Sequence, residues 1–269
     1  MLDVMEERVR SIEICAGLGF SLGALVLSTS LVLYPKLPPA NQTNLILDAI
    51  TKQDITSWMG LHAMMVIGFL LATVGFTAFG FLLHLRGSSG PAAVVTTGAL
   101  LGGTLWVTFL SLEFFVGPFL KNLYIVDPGL ATMLFTTIWF WKMGALALGG
   151  VLLFATVIAA GLSGTSREIL PVWLGWGGAF FGVVGILIYV FEFWSASAIG
   201  SAINPMRGAG VRFGVGLPLQ LWMLGVGGSL LSAYRNKSFV ETRRARPHAP
   251  KREPPPRFPE APPLPPPIP

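Results

Sequence analysis

Glu113, Lys142 and Glu192 are ionisable residues inside stretches that otherwise read as membrane-spanning helices. A charge at the centre of a bilayer costs at least about 2.5 kcal/mol, so such residues face a bundle interior or a cavity and pair with one another. Two carboxylates and one ammonium can do two kinds of work there. They can clamp three helices as a salt bridge, or they can form an ion, proton or substrate site. Counting along the spans puts Glu113 and Glu192 toward the outer ends of the third and fifth. Lys142 falls about 16 Å along the fourth, nearer mid-membrane. A lysine stem can extend toward either glutamate.

A second candidate lies at the start of the last apolar run. Gly214, Pro218 and Gln220 crowd its first turns. Proline has no N–H, so Pro218 frees the carbonyl one turn back, on Gly214. The result is an irregular helix start, or a broken helix that binds a ligand through its free backbone.

The missing motifs exclude several activities. The chain has no HExxH, GxSxG, GxxxxGK[ST] or CxxC, which, with its few histidines, argues against a metalloprotease, a P-loop ATPase or a multihaem cytochrome. No nucleophile–base pair is identifiable, so an enzyme is the third-ranked reading. Its three histidines, His62, His84 and His248, fall near opposite ends of one span and in the tail. That spacing argues against a bis-histidine haem but leaves open a pigment held by one histidine; no metal site is expected and the cofactor is undetermined. A lone cysteine, Cys15, can form no intramolecular disulfide.

The elements that must position these residues follow from composition. The chain has 269 residues with only 12% charged, against about 25% in soluble domains, and its mean hydropathy is +0.68. Several runs reach the roughly 20 apolar residues a bilayer crossing needs. The fold class expected is all-α: a polytopic membrane protein with six transmembrane helices and a proline-rich extended tail. Residues 1–13 form an amphipathic cytoplasmic segment in which Glu6 and Arg10 can pair one turn apart. Six spans fill 14–234, at about 14–34, 60–84, 92–116, 131–161, 171–194 and 213–234. Pro118, Lys121, Asp127 and Pro128 are assigned to an outer loop. Residues 36–58 form an outer segment whose isoleucines suit an interfacial position, and whose Asn41-Gln42-Thr43 matches a glycosylation sequon.

Eight of the 18 Lys and Arg follow residue 234. This basic stretch favours a cytoplasmic tail over nucleic-acid binding, and with it both termini cytoplasmic. Residues 245–269 hold 12 prolines, a composition for polyproline II and for docking on aromatic grooves.

Side-chain periodicity adds three expectations. Thr97, Thr104, Thr108 and Ser111 form one polar stripe, expected to bond a neighbouring helix, with Glu113 about 160° away from Thr97. Small-residue pairs such as Gly19 and Gly23, or Gly98 and Gly102, allow close helix approach. Trp173, Trp176, Trp194 and Trp222 read as interfacial anchors. The function expected is a non-catalytic component of a larger membrane assembly, in contact with the lipid bilayer and with a protein partner through the tail. The alternative is a carrier for a small solute, ion or lipophilic molecule at the charged cluster.

Overall fold

The computed structural model describes residues 2–34, 43–197 and 216–245. Gly214, residues 41 and 42 of the sequon and the proline-rich stretch after residue 245 lie outside them. Seven helices account for the regular structure of the described residues: α1 (Leu2–Leu33), α2 (Thr43–Thr51), α3 (Ile55–Leu85), α4 (Ser89–Val126), α5 (Pro128–Ser166), α6 (Val172–Ser197) and α7 (Leu217–Ala245). Met1–Tyr234 is one compact unit and Arg235–Pro269 a separate one.

Five helices, α1 and α3 to α6, are long and apolar enough to cross a membrane. Their outward faces carry exposed Leu25, Val74, Phe115 and Leu187, a surface compatible with lipid. The less apolar α7 stands outside these five.

The long helices form a closed ring. Each of α1, α3, α4, α5 and α6 packs on the next. The ring closes through α7, whose Trp222 indole donates to Leu174 O of α6 at 2.7 Å, while its Gln220 accepts from Ser28 of α1 at 2.8 Å. Inside, Phe20, Phe76, Phe79, Trp222, Met223 and Val226 anchor the main core. Trp222 is therefore a buried core residue and not the interfacial anchor expected of it, because its N–H finds a carbonyl within the ring. Trp173 and Trp176 are exposed.

Glycine sets how closely the ring closes. A β-carbon at Gly19 would lie 2.6 Å from Gly75 Cα, and one at Gly23 2.8 Å from Ala72 N, so α1 and α3 touch backbone to backbone. A β-carbon at Gly98 would meet Thr156 Oγ1 at 2.2 Å. The threonine that packs on α4 is thus supplied by α5. The stripe of Thr97, Thr104 and Thr108 is exposed, a correction to the helix–helix bonding expected of it. Glu113, on the opposite face, accordingly points inward.

Two tight turns fix the register. Gly87, at φ 78°, turns α3 into α4 in a left-handed conformation that suits glycine. Arg167 braces this turn, donating to Ser88 Oγ at 2.8 Å and Gly87 O at 3.2 Å. Asp127 turns α4 into α5 and caps the latter, accepting from Leu130 N at 3.0 Å, with Pro128 in its first turn.

The outer loop assigned to Pro118 and Lys121 is helix instead. Pro118 forfeits one bond without ending α4, because the residues past it are held. Leu120 joins Leu47, Ile50, Phe135 and Trp139 in a second core, and Lys121 Nζ donates to Gln53 O at 2.7 Å. That second core docks α2 on α4 and α5, so Leu47 and Ile50 face protein. At the other terminus, residues 2–13 and the first span are one helix, in which Arg10 and Glu6 pair at 3.2 Å.

Asp54 caps α3, accepting from Ser57 N at 2.8 Å. That backbone donor, with the Ser57 hydroxyl, holds its carboxyl below the ordinary value. A depressed folded-state pKa stabilises above the unfolded value and is lost as pH falls through the folded one. Protection of the Ser57 amide, relative to its intrinsic exchange rate, is therefore expected to fall on acidification below the usual carboxylate range, with Asp54→Asn abolishing the dependence while keeping the cap. A pH-independent exchange ratio between the two chains would contradict this.

Candidate functional site

The two turns bring three titratable residues to one level. Glu113 lies 14 residues before Asp127 and Lys142 15 after it; His62 lies 25 before Gly87 and Glu113 26 after. In antiparallel helices of equal rise, equal counts from a turn mean equal height. Glu113 Oε1 accepts from Lys142 Nζ in a close ion pair. Glu113 Oε2 lies 3.3 Å from His62 Nε2, outside hydrogen-bond geometry for that nitrogen. Lys142 Nζ also sits 4.4 Å from the centre of the Trp139 ring, a cation–π contact that strengthens when desolvated. His62 is 0% exposed and Lys142 7%.

Trp58 holds the frame. Its indole donates to Glu113 O at 3.2 Å, and Gly117 makes room for it, since a β-carbon there would lie 2.5 Å from Trp58 Nε1. One turn on, His62 Nδ1 lies 2.8 Å from Trp58 O. The two rings are 4.2 Å apart, and Tyr34 of the α1 end lies 6.0 Å from the imidazole.

The Glu113–Lys142 pair forms one end of a cavity of about 270 Å³ at the centre of the ring, lined by all six ring helices. Along α3 the lining runs from Met65 to Phe76, about 16 Å of helix. Ser30, Tyr34 and Gln220 add polar groups. The opposite end is apolar, with Phe76, Val157 and Met223. Gln220 gives one end of its amide to Ser28, leaving the other end without a partner among the described residues. The cavity thus has mostly apolar walls with a few convergent polar groups at one end.

Of the residues singled out in the sequence, Glu113, Lys142 and Gln220 meet at this cavity. Pro218 lies in the first turn of α7. Glu192 falls within α6, its side chain outside the described ones, as is Gly214. His62, Trp58, Tyr34 and Trp139 complete the site. His62 was legible by counting from Gly87. The aromatic residues carry no sequence mark that separates them from ordinary core. No group of three or more His, Cys, Asp or Glu side chains among the described residues is placed to hold a metal ion.

No family model matches this chain, and neither curated proteins nor solved structures yield a match.

Proposed function

We propose that this chain binds a small lipophilic molecule within the membrane and acts as its carrier. The observation that carries this reading is the central cavity, apolar along its length and charged at one end. A salt bridge serving only as a clamp needs no such space beside it, because interiors otherwise close to native packing density. The topology proposed with it is six spans, α7 being the sixth, and both termini cytoplasmic. The ring position of α7 and the basic stretch that follows Tyr234 support that arrangement.

In lipid nanodiscs, radiolabelled decanol is expected to bind saturably at about one site per chain, a protein-sized pocket holding one such ligand. Leu146→Trp, which fills the cavity from α5, is expected to abolish saturable binding without lowering the melting temperature. Partition no greater than that of empty nanodiscs would overturn the reading. A chain that binds no lipophile but copurifies with a partner through residues 245–269 is a subunit of a larger assembly instead.

A further inference from the structure

The His62 ring lies between two oxygen acceptors. Nδ1 lies 2.8 Å from Trp58 O and Nε2 lies 3.3 Å from Glu113 Oε2. Both neighbours are acceptors, since a carbonyl and a carboxylate have no proton to give. A neutral imidazole has one N–H and can serve only one of them. Whichever tautomer is chosen, the other contact sets a lone pair against an oxygen. One added proton, on Nε2 or on Glu113, would turn the second contact from repulsion to attraction.

That proton changes the charge of the site. Lys142 and Glu113 cancel, so with neutral His62 the three residues sum to zero. With the added proton they sum to one positive charge, at the polar end of an apolar cavity. A net buried charge without a counter-ion is costly, because the low dielectric offers little solvation. An anion in the cavity would supply the counter-charge. The other titratable groups lining the cavity among the described residues are Tyr34 on α1 and Tyr189 on α6. As neutral phenols they can accept no proton under ordinary conditions. From α7 the polar group at the cavity is the neutral amide of Gln220.

We propose that the ligand class of this cavity is a lipophilic monoanion, and that its binding draws one proton from water onto the His62–Glu113 contact. The inference rests on the cavity being a lipophile site. It assigns the head group: an acid's conjugate base, set against Lys142, with its tail toward Phe76 and Met223. It also couples the binding of anion and proton, since each ligand favours the other by the same factor.

The test uses decanesulfonate, an anion that cannot itself take up a proton, with decanol and decyltrimethylammonium as tail-matched probes. Titration calorimetry of the full chain in nanodiscs, run in buffers of different ionisation enthalpy, counts protons. Decanesulfonate is expected to bind about tenfold or more tighter than decyltrimethylammonium, a difference of 1.4 kcal/mol per decade, with uptake of about one proton. Glu113→Gln keeps an acceptor for Lys142 and gives His62 Nε2 a donor, so its site is permanently cationic. It is expected to bind decanesulfonate with no proton uptake, and its melting curve confirms the fold. Saturable decanol binding with no preference for the sulfonate would overturn the head-group assignment and leave the lipophile site standing. Sulfonate binding without proton uptake in the parent chain, or with equal uptake in Glu113→Gln, would overturn the role of His62. Failure of all three probes would remove the site itself.

Discussion

Replacing Glu113 by methionine is expected to destabilise the protein by about 3–5 kcal/mol, the cost of leaving a buried charge without its partner. Lys142→Met should cost clearly less. The asymmetry follows from the contacts. Lys142 has one carboxylate, whereas Glu113 lies against both Lys142 and His62. Without Lys142 the carboxylate keeps an imidazole that can take up a proton and serve as counter-ion. Without Glu113 the ammonium keeps, among the described residues, the face of Trp139, worth about 2 kcal/mol when desolvated. The double variant should recover much of the loss, because removing both members of a buried pair is often close to neutral. Thermal melts of the four chains in nanodiscs give the cycle. Equal losses in the two single variants would show that His62 lends Glu113 no support.

Gly19→Ala is expected to cost about 1–3 kcal/mol, in the range of overpacked cores. The added carbon would meet the Gly75 backbone at 2.6 Å and Leu71 O at 2.9 Å, and backbone cannot rotate away as a side chain can. The control is Gly60→Ala on α3, where an added carbon meets nothing within 4 Å. There, alanine's better helix propensity favours the variant by roughly 0.5–1 kcal/mol. The two substitutions are chemically identical and should shift the melting temperature in opposite directions. A Gly19→Ala chain as stable as its parent would mean that α1 and α3 separate at little cost, and that the closed ring is looser than its glycines imply.

How much of this was legible in the sequence depends on the kind of signal. The helical class was plain, because 12% charge and long apolar runs permit little else. Helix ends were harder. Pro118 and Lys121 read as loop, yet the contacts that hold them in α4 come from Gln53 and from the Leu47 cluster, far away in sequence. The threonine stripe was periodic but assigned to the wrong surroundings, since periodicity fixes which residues share a face and not what that face meets. The same periodicity did place Glu113 opposite the stripe, and so inside. Glu113 and Lys142 were recognised by charge alone. His62 was set aside as an isolated histidine, although counting from Gly87 puts it at the height of Glu113. A tight turn between two long helices works as a ruler, and in this chain it carries more about the site than residue type does.

The ring also has a consequence for biosynthesis. A chain enters the membrane from its N-terminus, and domains fold in that order. The helix that closes the ring is the last, α7, and its Gln220 meets Ser28 across 192 residues of sequence. Until α7 arrives, Ser21 and Ser28 of α1 and the Leu174 turn of α6 lack the neighbour they meet in the ring, and the space that becomes the cavity is an open trough. The cavity is thus enclosed only once α7 has been made. A ribosome that stops before residue 217 leaves Glu113 and Lys142 made and nothing yet enclosed around them.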